Sequence, residues 1–236
     1  MRAAFFDVDG TLTVARVWRG IMEYFKKRNQ RRKTHYAFLA THYPLYFIRR
    51  VGLISESNFR RPWAAHLAWY LRGMSALEAQ QIWGWVASEF LQKGGALLRG
   101  GGVETYWRMD IRALLANHLQ AGDAVVLVSS GPQPLIQQIG LELGTEHAIG
   151  TYLEMRRGFF TGRSLEPICI DAYKASMARD YLEEQDLPVD YSRSYTYADS
   201  TSDLHLLEMV GHPVAVHPEQ ELRTIASQRG WRIIPE

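Results

Sequence analysis

Short, largely apolar segments that alternate with segments of helical spacing constrain the fold of this chain more than any other feature of its sequence. The four segments that read as buried strands are residues 3–8, 124–128, 194–198 and 214–216. Runs of this length and character are typical of strands that are covered on both faces of a sheet. Because helix-like segments separate the strands, the pattern favours a mostly parallel sheet with helices on both sides. We therefore predict an α/β fold.

The spacing between these strands predicts the remaining elements of the α/β part. Helices are expected at residues 111–120, 135–143, 173–185, 204–210 and 219–229, and a short apolar segment at 231–234 follows the last of them. Residues 148–162 alternate in polarity and turn at Gly158, which predicts a hairpin.

The segment between the first two strands differs in composition from the rest of the chain. The whole chain has a net charge of only +2, but residues 16–100 hold 15 of its 27 Lys and Arg residues and 4 of its 25 Asp and Glu residues. The same segment holds 15 of the 28 aromatic residues. This basic, aromatic segment favours an anionic partner, whereas the rest of the chain is acidic.

Helices are predicted throughout this inserted segment. One spans about residues 56–71, and a second begins with a capping box formed by Ser75 and Glu78 and reaches about Lys93. Glycines at 94–95 and 100–102 suggest a hinge where the segment returns to the sheet. We predict a helical domain at residues 16–100, inserted into an α/β domain formed by residues 1–15 and 101–236.

Several classes of protein are excluded by the composition. With 236 residues, 47% of them hydrophobic, the chain is large enough for a packed domain with a smaller insert. No apolar run reaches the ~18 residues of a membrane span, and the N-terminal stretch lacks a signal-peptide layout. The single cysteine, Cys169, excludes a disulfide framework and a thiolate metal cluster. We expect a cytoplasmic protein.

Polar side chains follow the predicted strands at the points where those strands end. Asp7 and Asp9 end the first, Ser129 ends the second and Asp199 ends the third. In an open α/β sheet this edge is where ligands bind. Each residue taken alone also has an ordinary explanation as a turn residue or helix cap, and Lys174 as a surface lysine. Their order along the chain is more informative than any one of them.

That order resembles the motifs of the haloacid dehalogenase superfamily. The run Asp7-Val8-Asp9-Gly10-Thr11-Leu12-Thr13 resembles its DxDGTLT nucleophile motif, Ser129 its second motif, Lys174 its third, and Asp199-Ser200-Thr201-Ser202-Asp203 its DxxxD fourth motif. The insert resembles the C1-type helical cap of the phosphoserine phosphatase-like branch, subfamily IB. We call residues 16–100 the cap from here on. The resemblance implies a Rossmann-like parallel sheet that carries this cap.

The resemblance also implies a phosphatase that depends on Mg²⁺ and works through an aspartyl-phosphate. Asp7 is then the nucleophile, and Asp9, on the same side of the strand, is the general acid and base. Asp7, Asp199 and the backbone carbonyl of Asp9 supply oxygen ligands of the kind that Mg²⁺ prefers. Asp203 and Ser200 are expected behind these ligands, where they orient metal waters or the third-motif lysine.

The second and third motifs imply a phosphate-binding site. Ser129 offers its hydroxyl, and Ser130 and Gly131 offer backbone amides at the start of a helix. Lys174 supplies a positive charge to the phosphate and to the nucleophile. These groups would stabilise the charge that spreads over a phosphoryl group during its transfer.

The cap departs from the phosphoserine phosphatases at the residues expected to choose the substrate. Arg16 stands where those enzymes hold the substrate ammonium with Glu, so it favours a second anionic group instead. The cap arginine of those enzymes falls near His66, with Arg60 close by. The main prediction is hydrolysis of a small phosphorylated metabolite. Phosphoserine, histidinol phosphate, and lipid phosphates of the lysophosphatidate or phosphatidylglycerophosphate type stay open as substrates, as do a phosphotransferase and a non-catalytic binding protein.

A basic run at residues 26–33 precedes an aromatic stretch at 36–48. One interpretation is a solvated helix end followed by a packed cap helix. The alternative is a patch that contacts anionic lipid at the inner face of the membrane. The run contains no recognised nucleic-acid-binding motif, so we expect no nucleic-acid partner. The sequence indicates no particular oligomeric state.

Overall fold

A parallel sheet of six strands forms the centre of the protein. The computed structural model describes residues 1–96 and 102–235. The strands of this part of the chain are β1 (Ala3–Asp7), β2 (Gly95–Ala96), β3 (Gly102–Val103), β4 (Ala124–Pro132), β5 (His147–Thr151), β6 (Leu153–Arg156), β7 (Phe159–Ser164), β8 (Tyr195–Ala198), β9 (His212–Val216) and β10 (Arg232–Ile234). The sheet order is β10-β9-β8-β1-β4-β5, and every pairing in it is parallel. The predicted α/β fold is confirmed.

Helices cover both faces of this sheet and form the cap. They are α1 (Val17–Lys27), α2 (Arg32–Arg50), α3 (Glu56–His66), α4 (Ala76–Gly84), α5 (Leu91–Lys93), α6 (Met109–Gln120), α7 (Gln133–Leu143), α8 (Ala172–Glu184), α9 (Leu204–Glu208) and α10 (Gln220–Arg229). Short 3₁₀ turns occupy Leu67–Leu71, Tyr191–Arg193 and Thr201–Asp203, and a π-helical turn occupies Trp85–Phe90.

The central strand shows why the sheet must be covered twice. Successive side chains of a strand point to opposite faces. Phe6 packs into a core with Ile111 and Leu115 of α6, whereas Phe5 packs into a second core with Ala178 and Leu182 of α8. All six side chains are at most 2% exposed. The apolar run of β1 therefore stabilises the fold through both layers of helices.

The cap lies between β1 and β4, as the sequence predicts. Its capping box forms: Ser75 N–H donates to Glu78 Oε2 at 2.7 Å, and Glu78 N–H donates to Ser75 Oγ at 3.3 Å. The two long predicted helices are each subdivided. The first is α3 continued by a 3₁₀ turn, with Gly73 at a φ of 76° just beyond it. The second is α4, the π-helical turn and α5 in succession.

The predicted hairpin at residues 148–162 is wrong in its first half. His147–Thr151 instead forms β5, the edge strand of the main sheet. Its pairing with β4 buries Ala148 and Ile149. The hairpin itself is β6 and β7, which turn at Arg157 and Gly158. It reaches the cap, since Gly73 N–H donates to Phe160 O and Phe160 N–H donates to Met74 O, both at 2.8 Å.

The return from the cap to the core runs through β2 and β3, which pair antiparallel across Gly95 and Val103. The predicted domain boundary at residues 100 and 101 lies outside the described residues, so the division into domains stays a prediction. Among the residues that the structure describes, no helix is both long enough and apolar enough to cross a membrane.

Candidate active site

The predicted catalytic residues meet where three neighbouring strands end. Asp7 is the last residue of β1, which pairs with β4 on one side and with β8 on the other. Asp199 directly follows β8. Asp7, Asp199 and Asp203 offer carboxylate oxygens that all lie within 4.8 Å of one another, and all three residues are buried. The parallel sheet thus builds an acidic cluster from segments that are far apart in sequence.

Asp7 is held between two hydrogen-bond donors. Lys174 Nζ on α8 donates to its Oδ1 at 2.6 Å, and the Thr11 hydroxyl donates to its Oδ2 at 3.0 Å. Burial raises the pKa of Asp7 to about 6, although the charge of Lys174 opposes this shift. Lys174 Nζ also donates to Asp203 Oδ1 at 2.5 Å. Burial alone would lower the pKa of Lys174, but the charges of Asp203 and Asp7 raise it, so the lysine stays positively charged.

Asp9 is fixed by the first residues of the cap. Its Oδ1 accepts a hydrogen bond from Val17 N–H at 2.7 Å, at the start of α1. Its backbone carbonyl accepts a hydrogen bond from Arg16 Nη1 at 2.7 Å. Burial raises the pKa of Asp9, while the charge of Arg16 and the Val17 N–H act in the opposite direction. A raised pKa is what a carboxyl group needs in order to carry a proton into a reaction.

Asp199 is the member of the cluster whose hydrogen bonding is incomplete. Its Oδ1 is buried and has no hydrogen-bond partner among the described residues. Burial, together with the charge of Asp7, raises the pKa of Asp199 to about 7. Gly10 makes room for this carboxylate: its φ is 105°, and a Cβ there would lie 2.1 Å from Asp199 Oδ2. A buried carboxylate oxygen without a donor is costly unless a cation binds it.

Asp203, by contrast, has a partner at each oxygen. Oδ1 accepts from Lys174, and Oδ2 accepts from the hydroxyls of Ser200 at 3.2 Å and Ser202 at 3.1 Å. Both of its oxygens are therefore engaged, one of them by Lys174. The oxygen left for a cation belongs to Asp199, and a donor set of carboxylate and carbonyl oxygens suits a hard divalent ion. The residues present thus fit a magnesium site.

The C-terminal end of β4 holds the three residues of the second motif that were predicted to bind phosphate, but only two of them line the cavity. Ser130 and Gly131 line the cavity above Asp7, as does Lys174. Ser129 is fully buried, and its Oγ accepts a hydrogen bond from Gly131 N–H at 3.1 Å. The Ser130 carbonyl accepts from the Thr151 hydroxyl at 2.9 Å, which ties this end of β4 to β5.

A cavity of about 540 Å³ opens above the acidic cluster, between the sheet and the cap. Its floor holds Asp7, Asp9, Asp199 and Asp203, and its cap side carries the aromatic residues Trp18, Tyr43, Tyr46, Phe59 and Trp63. A cavity of about 590 Å³ lies elsewhere, beside β9 and β10, and none of the predicted catalytic residues line it. The smaller cavity is therefore the candidate active site.

Comparison with known proteins agrees with this geometry. A family model described as haloacid dehalogenase-like hydrolase matches residues 4–208. The chain belongs to this family. The resemblance found in the four motifs is thereby confirmed, together with the Rossmann-like core that it implies.

Two relatives and one solved structure are similar to this hydrolase in sequence or in fold. It is 37% identical over 122 residues to phosphoserine phosphatase SerB1 of Mycobacterium tuberculosis, a match that covers 52% of this chain and 39% of that protein. It is 33% identical over 125 residues to a histidinol-phosphatase of Neisseria meningitidis serogroup C, covering 52% of this chain and 56% of that protein. The match thus spans less than two thirds of either relative. A protein of unknown function from Bordetella pertussis shares the fold with a TM-score of 0.78, at 24% identity, over 99% of this chain and 97% of that one.

The three cap residues predicted to choose the substrate have different surroundings in this haloacid dehalogenase-like hydrolase. Arg16 lines the cavity but donates to the Asp9 carbonyl, so it faces the acidic floor. Arg60 lines it as well and donates to Ser202 Oγ at 2.9 Å. His66 is not brought to the cavity. Its ring stacks on Trp69 with centroids 4.4 Å apart, and its Nδ1 lies 3.1 Å from Nε2 of the buried His42.

Two parts of this site are not predicted by the sequence. Thr11 belongs to the DxDGTLT run, and its position four residues after Asp7 was the available signal for its hydrogen bond to that carboxylate. The aromatic residues on the cap side of the cavity carried no such signal, because Tyr43 and Tyr46 lay in a stretch interpreted as helix packing or membrane contact. Their convergence with Phe59 depends on how α2 packs against α3.

Proposed function

We propose that this protein hydrolyses phosphomonoesters through a phosphoenzyme formed on Asp7. The observation that carries the proposal is the position of the Asp7 carboxylate at the cavity floor, where Lys174 donates a hydrogen bond to it. The buried Asp9 follows it two positions later in the sequence. A carboxylate nucleophile beside a fixed positive charge and a carboxyl group of raised pKa is the set that phosphoryl transfer requires.

The first half of the reaction forms the phosphoenzyme. A carboxylate oxygen of Asp7 attacks phosphorus, and the bond from phosphorus to the leaving oxygen breaks as the new bond forms. Asp9 gives its proton to the leaving oxygen, so that an alcohol departs. Lys174 and the amide group of Ser130 stabilise the charge on the transferring group, and the Gly131 N–H joins them when it exchanges its bond to Ser129 Oγ for a phosphate oxygen.

The second half of the reaction releases phosphate. Asp9, now ionised, takes a proton from a water molecule as the water oxygen attacks phosphorus. The bond between phosphorus and Asp7 breaks, and both carboxyl groups return to their starting states. The Val17 N–H that holds Asp9 Oδ1 keeps this side chain in place for both proton transfers.

We propose Mg²⁺ as the cofactor, held by Asp7, Asp199 and the backbone carbonyl of Asp9. The orphaned Asp199 Oδ1 and the space left by Gly10 support this assignment. When bound, such an ion offsets the repulsion between the carboxylates and the substrate phosphate. Ser200 and Asp203 would support it indirectly, through Lys174 and the hydroxyl of Ser202.

The direct test compares Asp7→Asn with the native protein in hydrolysis of p-nitrophenyl phosphate with added Mg²⁺. We expect Asp7→Asn to lose turnover by at least about 10³-fold while it keeps its far-ultraviolet circular dichroism, because an amide is a poor nucleophile. Asp180→Asn is the matched control, since Asp180 is exposed on α8. Activity of Asp7→Asn near that of this control would overturn the proposal.

Two other outcomes separate the remaining functions. Transfer of phosphate to glycerol, seen as glycerol phosphate at the expense of inorganic phosphate, would identify a phosphotransferase. Substrate binding without any turnover would identify a binding protein. Phosphoserine and histidinol phosphate belong in the substrate panel, because relatives carry those names.

We also propose that the protein works in the cytoplasm and contacts anionic membrane through α2. Support comes from an exposed row on that helix that includes Tyr36, Tyr43 and Phe47, which are 62%, 51% and 58% exposed. Spacings of seven and four residues place these three side chains on one helix face. Co-sedimentation with vesicles that contain anionic lipid, at low salt, should exceed that with neutral vesicles. Equal or absent binding would refute the contact.

A further inference from the structure

Aromatic rings line the cap side of the cavity, and four of the five contact one another in a row. We call Trp18, Tyr43, Tyr46, Phe59 and Trp63 the aromatic wall; all five line the cavity. Ring centroids lie 5.1 Å apart for Trp18 and Trp63, 5.6 Å for Trp63 and Phe59, and 6.3 Å for Phe59 and Tyr46. A leaving group attached to a phosphate at Asp7 would lie against this wall, because the acidic floor faces it.

The charged groups of the cap are engaged around the wall. Arg60 donates to Ser200 and Ser202 of the core, and Arg16 donates to the Asp9 carbonyl. The Arg49 guanidinium lies over the rings of Phe59 and Tyr46, at 4.9 and 5.6 Å from their centroids. Ala64, Leu67 and Ile170 extend the apolar lining. A polar leaving group would lose water here, whereas an apolar one would gain from burial.

The wall also continues to the outside of the protein. Tyr43 and Tyr46 belong to the cavity lining and are nevertheless 51% and 36% exposed. Phe47 follows Tyr43 by one helical turn and is 58% exposed. The apolar path therefore leads from the acidic floor, past the aromatic wall, onto the exposed face of α2. A linear chain suits such a path, because it fills the cavity and extends beyond it.

We propose that the cavity takes phosphomonoesters whose leaving group is a linear apolar chain. The inference rests on the proposed phosphatase function and names the substrate class of the same site. The phosphate would bind over Asp7 and Lys174, and the chain would run along the aromatic wall towards α2. Small polar esters such as phosphoserine would be poor substrates, because they leave the wall uncovered.

The test is a series of monoalkyl phosphates used below their micellar concentrations. We expect kcat/KM to rise from ethyl to butyl, hexyl and octyl phosphate by about threefold for each added methylene group, until the cavity is filled. Octyl phosphate should exceed phosphoserine by at least about 100-fold. A flat series, with ethyl phosphate still hydrolysed, would overturn the inference and leave the proposed function standing. No hydrolysis of any ester, p-nitrophenyl phosphate included, would overturn the proposed function instead.

An aromatic leaving group is the rival for the same wall. If 1-naphthyl phosphate or a nucleoside monophosphate exceeds octyl phosphate in kcat/KM by tenfold or more, stacking on a planar group explains the wall and a linear chain does not. Comparable or lower values for these esters support the chain.

Variants of the wall test the path directly. In Trp63→Ala the ratio of kcat/KM for octyl to ethyl phosphate should fall at least tenfold, because that side chain joins two neighbouring rings. Tyr43→Ser should lower the same ratio and, being half-exposed, should leave the fold intact. Leu77→Ala is the control, since Leu77 is an exposed apolar residue of α4 that does not line the cavity. A ratio unchanged in Tyr43→Ser and in Trp63→Ala would contradict the path.

Discussion

Asp199 gives, at the scale of one residue, the strongest support for the proposed cation site. Its carboxylate is placed by the end of β8, is crowded by the like charge of Asp7, and has a buried oxygen without a donor. Without a cation at neutral pH this arrangement costs stability, because burial and a neighbouring anion both disfavour the charged form. Asp7 and Asp203 bear less of this cost, since each has Lys174 as a partner.

The first prediction follows from that cost. At pH 8 without Mg²⁺, Asp199→Asn should raise the free energy of unfolding by about 1 kcal/mol or more, because it removes a carboxylate whose pKa is raised to about 7. Native protein should gain about 2.7 kcal/mol when free Mg²⁺ reaches a hundred times its Kd, and Asp199→Asn should gain far less. Urea unfolding with EDTA and with Mg²⁺ measures both effects. Asp180→Asn should gain as much stability from Mg²⁺ as the native protein does. If Asp199→Asn gained as much as Asp180→Asn, the assignment of Asp199 as a Mg²⁺ ligand would be contradicted.

Gly10 carries the second prediction at this scale. A Cβ at this position meets Asp199 Oδ2 at 2.1 Å, and the φ of 105° is itself strained for any other residue. Gly10→Ala should therefore lose about 2–4 kcal/mol of unfolding free energy and most of the phosphatase activity. Gly158→Ala isolates the backbone effect, because Gly158 has a φ of 82° and open space around it. If the two variants lost equal stability in urea, the close approach to Asp199 would have no energetic role.

At the scale of elements, a polar network ties the start of β1 to α6 and β8. Asp123, in the turn before β4, accepts hydrogen bonds from Arg2 Nε at 2.7 Å through Oδ1, and its Oδ2 lies 2.7 Å from His118 Nδ1. The other ring nitrogen of His118 lies 2.8 Å from the hydroxyl of Tyr197 on β8. Burial alone would raise the pKa of Asp123, but the hydrogen bonds from Arg2 and His118 outweigh it and lower the pKa.

This network makes part of the stability depend on pH. A carboxyl group whose pKa is lowered by folding stabilises the protein above its unfolded pKa of about 3.9, and this stability is lost as pH falls through the folded pKa. Asp123→Asn should thus lose about 2 kcal/mol at pH 7, and its deficit relative to native protein should shrink towards pH 3. Urea unfolding at pH 7, 5 and 3 follows this difference. A deficit that stays constant down to pH 3 would contradict the ionised network.

Elements also show where reasoning from sequence succeeds and where it stops. The Ser75 capping box and the strands that begin at Ala3 and Ala124 depend on neighbours within a few residues, so local sequence was enough to predict them. Residues 148–151 were assigned to a hairpin, because their alternation does not reveal which strand pairs with them. Pairing with β4 buries Ala148 and Ile149, and that partner lies some twenty residues earlier in the chain.

The same distinction holds for the whole molecule. The acidic cluster was predictable, since parallel strands bring their carboxyl ends to one edge whatever the connections contain. Selection of the substrate was not, because it depends on how the cap helices pack over that edge. Arg16 and His66 were both expected to select the substrate. Arg16 donates a hydrogen bond to the Asp9 carbonyl at the acidic floor, whereas His66 lies in a separate cluster of rings around His42.

The contact between cap and core carries the last prediction. Arg60 of the cap donates to Ser202 Oγ at 2.9 Å and Ser200 Oγ at 3.3 Å in the fourth motif, directly beside the cavity. Arg60→Gln should lower kcat/KM by about tenfold, because a cap held less firmly lets water reach the floor and weakens each charged contact there. The tryptophans of the aromatic wall should at the same time become more accessible to acrylamide quenching. Arg61→Gln is the matched control, since Arg61 also bridges cap and core, to Glu166 at 2.8 Å, through side chains that are 49% and 61% exposed. Equal effects of the two substitutions on kcat/KM would show that Arg60 acts only through general stability, and a loss confined to Arg60→Gln would show that closure at the fourth motif supports catalysis.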